Sequence, residues 1–168
     1  MVAKVQTEDI RTTEDFDKVI TYTGGLFYAK GFHILAKEWK KIVKKVPDAQ
    51  LYVIGTGNLY DPSVSLGMLG VADVEYEKKF AKYLKDKNGH LLESVHFLGK
   101  MGAEKKLIYK KTAVGVMNPT GRTETFGLSA VEMEMAGVPI VVYRKASYPD
   151  VISDKKGGYL CTSRKEYR

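Results

Sequence analysis

The chain has 168 residues, 44% hydrophobic and 28% charged, with a single cysteine, Cys161. Such proportions suit one globular domain with a sizeable core and exclude a disordered tail, a collagen-like chain and a coiled coil. A lone thiol excludes a disulfide framework and a multi-cysteine zinc site, and a reducing cytoplasm is its simplest home. The charge is 27 Lys and Arg against 20 Asp and Glu, a net +7. The surplus sits in residues 24–60 and 101–168. It suits polyanions, phosphorylated small molecules or an anionic membrane face. No basic run with interleaved aromatics points to nucleic acid.

The opening residues 1–18 are acidic, lack the apolar core of a secretory signal and read as a linker or N-terminal extension. No apolar stretch approaches the length needed to span a bilayer. Val19 to Tyr22 reads as a short strand, followed by the turn Thr23-Gly24-Gly25. Phe32, Leu35, Ala36, Trp39, Ile42, Val43 and Val46 then fall on one helical stripe. Lys37, Lys40, Lys41, Lys44 and Lys45 fall on the other faces, a solvated surface, and Pro47-Asp48 stops the helix. Leu51 to Ile54 is a short apolar run before Gly55, the mark of a buried strand.

Residues 57–73 read as a long loop, and Glu75 to Leu84 as a helix ended by Asp86-Lys87-Asn88-Gly89. Val95 to Leu98 is the next strand, then a short helix from about Glu104 to Tyr109 and a strand from Val114 to Met117. Gly127 to Ala136 reads as a helix with Gly137 just past its end. Pro139 to Val142 and Gly158 to Cys161 complete the strands, with no closing helix expected after them, as in a domain cut from a longer protein. Alternating strands and helices with short apolar strands predict an α/β, Rossmann-like three-layer domain. Its sheet is parallel, with helices on both faces.

Three strand-to-helix turns could carry chemistry, because open parallel sheets bind ligands at the carboxyl ends of their strands. The most informative run is Asn118 to Glu132. A helix start offers free N–H groups to a phosphate, and Gly127 admits close approach to the backbone. Phe126, Gly127 and Leu128 could therefore present amides to a diphosphate or a sugar. Glu132 shares the predicted apolar face of Leu128, Val131, Met135 and Ala136, which is costly unless the carboxylate has partners. Vicinal ribose hydroxyls would serve; so would a salt bridge to a nearby lysine at the helix edge. Glu124 is either a solvated loop acid favouring the helix dipole or one of two carboxylates flanking a functional helix start. Lys30, after Gly24-Gly25, is either a surface lysine or a mobile charge for a phosphate oxygen. Gly55-Thr56-Gly57 lacks the third glycine of a dinucleotide fingerprint, since Tyr60 stands there, and reads as a turn that keeps the sheet edge clear. His33, His90 and His96 have no partners at metal-ligand spacing, and His96 reads as structural.

Six blocks in order resemble the C-terminal, donor-binding domain of family 4 retaining glycosyltransferases. They are Lys30-Gly31, Ala49 to Gly57, Val95 to Gly99, Val114 to Pro119, Glu124 to Glu132 and Ala136 to Val142. The paired glutamates with seven residues between them are the family's signature. The resemblance implies one half of a GT-B fold over residues 19–168, acting as a transferase on a UDP- or GDP-sugar. It implies that Glu124, with Thr125 beside it, sits by the donor sugar hydroxyls, that Phe126, Gly127 and Leu128 bind sugar and diphosphate through the backbone, and that Glu132 holds the ribose. Gly24, Gly25 and Lys30 would face the diphosphate, Lys30 neutralising the leaving group, while Gly99 and Lys100 would lie near the nucleobase. No cofactor or essential metal is implied, so basic groups replace one.

Two departures stand out. Gly25 occupies the place of the family's usual arginine, so either Arg122 supplies that charge or diphosphate binding weakens. The long segment between Gly57 and Val95 has no family counterpart to explain it. The family's N-terminal acceptor-binding domain is not expected within these residues. The chain is therefore expected to bind a nucleotide sugar yet barely transfer it alone. The other readings are a non-catalytic nucleotide-binding α/β module and, well behind, a nucleic-acid-binding domain with steeply salt-dependent affinity. The basic surplus is also compatible with peripheral contact to an anionic inner membrane face.

Overall fold

A computed structural model describes residues 18–152 and 157–167. Residues 1–18, read as an extension, lie outside the described residues except for Lys18. Six strands form one sheet: β1 (Val19–Thr23), β2 (Gln50–Ile54), β3 (Val95–Gly99), β4 (Thr112–Val116), β5 (Ile140–Tyr143) and β6 (Gly158–Cys161). The strand order is β3-β2-β1-β4-β5-β6 and every pairing is parallel. Between them run α1 (Phe32–Lys45), α2 (Val74–Ala81), α3 (Lys105–Lys111), α4 (Leu128–Met135) and α5 (Tyr148–Val151). This is the Rossmann-like arrangement that the alternation predicts.

Two apolar cores lie against the two faces of the sheet. The first packs Phe32, Leu35, Ala36 and Trp39 of α1 and Tyr76 and Phe80 of α2 onto Tyr22, Leu51, Val53 and Val95. The second packs Tyr109 of α3, Ala130 and Met133 of α4 and Tyr148 of α5 onto Ile140, Val142 and Leu160. The predicted stripe of α1 is the buried one, fully so at its first four positions, while Ile42 and Val43 are half-buried. Val46 lies past the last turn and is 37% exposed. Trp39 also donates its indole N–H to Ser94 Oγ at 3.1 Å, which satisfies its one polar atom.

Four local readings change. A 3-10 turn, Tyr28–Lys30, precedes α1 and has no apolar periodicity to reveal it. α2 ends at Ala81 rather than Leu84, since the next amides, of Tyr83 and Leu84, bond three residues back. α5 is a four-residue helix with proline in its first turn, too short for periodicity to show. A short closing helix, α6 (Arg164–Tyr167), follows β6, against expectation. The carboxylate of Glu166 accepts from the Thr162 amide at 2.7 Å and so caps that turn.

His96 is structural, as read: its Nε2 lies 2.8 Å from Gln50 Oε1, and its ring meets Tyr52 edge-on. The expected loop 57–73 is irregular yet anchored. Buried Glu77 of α2 accepts from the Leu69 amide at 2.7 Å and the Val71 amide at 3.2 Å. No helix among the described residues is long and apolar enough to cross a membrane.

Candidate donor-binding site

The strand order reverses between β1 and β4, since β1 leads outward to β2 and β4 leads outward to β5. Loops leaving these two strands diverge and open a crevice at their carboxyl ends. A cavity of about 590 Å³ lies there, lined by the turn after β1, the loop before α4 and the start of α3. The turn after β1 is held close to β2: Gly24 donates to the Ile54 carbonyl at 3.0 Å and Leu26 to the Thr56 carbonyl at 3.1 Å. Gly55, at φ 133°, allows this approach. A Cβ there would stand 2.0 Å from the Gly24 carbonyl oxygen.

Glu124 is the best-held group in the cavity. Its Oε2 accepts from Lys30 Nζ at 3.0 Å, Tyr148 OH at 3.3 Å and Asn118 Nδ2 at 3.4 Å, and its Oε1 accepts from the Gly127 amide at 3.0 Å. Burial works against its ionisation. The hydrogen bond and charge of Lys30, with Asn118 and the Gly127 amide, outweigh burial and hold the carboxyl below its usual range. The same carboxylate, after burial, pushes the Tyr148 phenol well above its ordinary value.

Lys30 also donates to the Thr123 carbonyl at 3.0 Å. Its side chain is only 15% exposed and that of Glu124 16%, so this is a largely desolvated pair. The loop that carries Glu124 is strained: Asn118 (φ 38°) and β-branched Thr123 (φ 52°) both lie in the left-handed region. Asn118 compensates by donating to the Arg122 carbonyl at 2.5 Å. Thr120 Oγ1 bonds the Ala29 carbonyl and so ties this loop to the turn before α1.

Of the residues expected at the site, the structure gathers Gly24, Gly25, Lys30, Lys100, Glu124, Thr125, Phe126, Gly127 and Leu128 around the cavity. Gly99, Arg122 and Glu132 do not line it. Gly99 is spent on the sheet edge, its carbonyl accepting from the Gly55 amide at 2.7 Å. Arg122 is exposed outside the lining, so the structure does not place it where the missing arginine charge was expected.

Glu132 requires a correction. It does not share a buried face: α4 buries Ala130 and Met133, while Leu128 is 67% and Met135 58% exposed. Apolar residues lie on every side of this helix, so periodicity could not choose the face that meets the sheet. Glu132 is exposed and ion-paired with Lys105, Nζ to Oε2 2.6 Å. A salt bridge to a lysine, the other reading of this residue, is present, its partner coming from α3.

Several lining residues escaped the sequence. Leu59 and Tyr60 come from the loop between β2 and α2, which gives part of that long segment a place at the cavity. Phe27 meets Tyr60 edge-on at 5.9 Å between centroids. Its ring fills the space beside Gly25, where a Cβ would stand 2.2 Å from Phe27 Cε1. The position of the family's arginine is thus sterically closed in this arrangement. Tyr148 had no sequence signal, whereas Lys105 begins a helix after a strand, where the strand-end rule could have found it.

Comparison with known proteins agrees with this architecture. Residues 6–167 match the family described as Glycosyl transferases group 1. An uncharacterised glycosyltransferase of Haemophilus influenzae is 27% identical over 146 residues, 86% of this chain and 35% of its own. A phosphatidyl-myo-inositol mannosyltransferase of Mycobacterium tuberculosis is 25% identical over 131 residues, 78% of this chain and 29% of its own. The chain therefore spans about a third of the length of the curated relatives it matches. Among solved structures, the C-terminal domain of a group 1 family glycosyl transferase, LpcC, from Francisella tularensis shares the fold at TM-score 0.66 and 20% identity, covering 98% of this chain and 79% of that one. HepE of Anabaena, solved with UDP-glucose, does so at TM-score 0.67 and 17% identity, covering 94% of this chain and 42% of that one.

Proposed function

The chain belongs to the group 1 glycosyl transferases, and from that premise we propose that it is the donor-binding part of a retaining enzyme that moves a hexosyl group from a nucleoside diphosphate to a glycan or lipid-linked acceptor. The observation that carries the reading is the four-donor clamp on Glu124 in the cavity at the strand-order reversal. An ionised carboxylate held by Lys30, Asn118, Tyr148 and a helix-start amide is placed to accept from sugar hydroxyls. Leu128 and Ser129, at the start of α4, line the same cavity, where helix-start amides suit a diphosphate, while the Gly127 amide is spent on Glu124. As the bond from the anomeric carbon to the phosphate oxygen breaks, negative charge grows on the leaving diphosphate. Lys30, a compact mobile cation on the cavity wall, is placed to stabilise it.

Basic groups, rather than a metal, serve the diphosphate in this reading, Lys30 first among them, and among the described residues Glu124 is the one carboxylate in the cavity lining. Among the described residues no three His, Cys, Asp or Glu side chains cluster as metal ligands would. Because the relatives are about three times longer, acceptor recognition is assigned to parts outside these residues, and this chain alone is expected to turn over slowly. Calorimetric titration with UDP, GDP and ADP tests the reading. One of the three should bind, with and without EDTA, and Glu132→Ala should weaken binding through loss of the ribose contact; if the wild type ignores all three, the proposal fails.

A further inference from the structure

Each carboxylate of the glutamate pair meets a lysine from a different loop. Glu124 is paired with Lys30, from the turn after β1, and Glu132 with Lys105, at the first residue of α3. The second pair is the shorter, 2.6 Å, and Lys105 is the less exposed partner, 23% against 43%. Lys105 lines the cavity; Glu132 stands at its edge, one helical turn beyond lining residue Leu128. Position 25, where the resemblance expects an arginine, is glycine, its side-chain space is filled by Phe27, and Arg122 lies outside the lining. From these contacts we propose that Lys105 is a donor-binding residue that supplies the second positive charge of the diphosphate site. The inference rests on the donor-site reading above and adds to it a residue, Lys105, and an exchange of partners.

Lys105 neutralises Glu132 and holds its carboxylate at the rim. When a nucleoside diphosphate enters, vicinal ribose hydroxyls donate to Glu132 and replace the ammonium as its partner. The freed ammonium turns on its four-carbon stem to the phosphate oxygens, opposite Lys30. Both carboxylates stay satisfied throughout, and the diphosphate gains two charge-assisted contacts instead of one. The exchange explains how a diphosphate could be held without an arginine at position 25, and why Glu132 pairs with a lysine that faces the cavity.

The test is titration of wild type, Lys105→Gln and Lys106→Gln with UDP, GDP and ADP, and with the monophosphate of whichever base binds. Lys106 is exposed, adjacent and outside the cavity lining, so its variant loses the same charge without the contact. Lys105→Gln should weaken diphosphate binding about tenfold or more, as expected for a charged hydrogen bond, and monophosphate binding clearly less. Lys106→Gln should shift both by less than about twofold, as a surface charge does. Equal diphosphate affinity in wild type and Lys105→Gln would overturn the role of Lys105 alone. Equal losses in the two variants would reduce it to general charge and overturn it too. A wild type that binds none of the three nucleotides overturns the donor-site reading and this inference with it. Thermal melting of both variants at the wild-type temperature shows that the comparison is between folded proteins.

Discussion

Lys30 and Glu124 show how one contact sets both stability and chemistry. Their pair is mostly desolvated, so neither charge is cheap to leave alone. Lys30→Ala should cost about 2 kcal/mol at pH 7, below the range for a fully buried pair because some solvent reaches it. Glu124 then keeps its burial and loses its ammonium, and its pKa rises. The pH dependence follows from the direction of the wild-type shift. A carboxyl depressed in the folded state stabilises fully above its unfolded value, roughly 4.3, and loses that contribution as pH falls through the folded pKa. Urea unfolding of wild type and Lys30→Ala should therefore differ steadily from pH 7 to about 5 and converge below about 4. A gap unchanged at pH 3 would mean that Lys30 acts through packing alone. Neither residue's role was visible from its own position: Glu124 alone looks like a loop acid, and it lies 94 positions along the chain from Lys30.

Among the elements, the loop between β2 and α2 depends on Glu77. Its carboxylate is 3% exposed and accepts two backbone amides, from Leu69 and Val71, that nothing else in that loop satisfies by the contacts described. Gln at 77 keeps one acceptor oxygen and turns an amide group toward an N–H. Glu77→Gln should destabilise by about 2 kcal/mol. It should also speed hydrogen exchange at Leu69 and Val71 while leaving amides of β1 unchanged. Because Tyr60 reaches the cavity from the same loop, the variant should loosen that wall as well. The sequence marked this segment as loop from its glycines, proline and serines, but it could not mark Glu77 as the anchor. On α2 an acid beside lysines reads as a surface residue until the loop folds over it.

The parallel sheet as a whole places the cavity. β1 and β4 are neighbours although 88 residues separate their ends, Thr23 and Thr112, and their loops part in opposite directions. The β1 turn, the α3 start and the α4 start all line the cavity, so a nucleotide bound as proposed would tie both halves of the sheet together. Ligand that binds only the folded state at 100 times its Kd adds about 2.7 kcal/mol. For a domain of this size that corresponds to a rise in Tm of roughly 5–10 °C. Differential scanning fluorimetry with the nucleotide found by titration checks this; an unchanged Tm at saturation would place binding on a state other than the folded one. Cys161 supplies no alternative chemistry at this scale: it is fully buried, and burial pushes its thiol pKa up, which keeps it unreactive.

Legible along the chain were the alternation of short apolar strands with helices, the buried stripe of α1, the helix start at Gly127 and the ordered blocks that resemble the family. These are local signals, written in spacing of a few residues, and local spacing is what periodicity and turn chemistry can read. Tertiary structure alone decided which side of α4 meets the sheet, because a helix apolar on every side carries no direction in its pattern. It also decided that Phe27 fills the space at Gly25, that Arg122 stays outside the cavity lining and that Lys105 faces the cavity. Those facts depend on loops that lie far apart in the chain and meet only where the strand order reverses. Charge pairing across such a crevice is a property of distances in space, and spacing along the chain does not carry it.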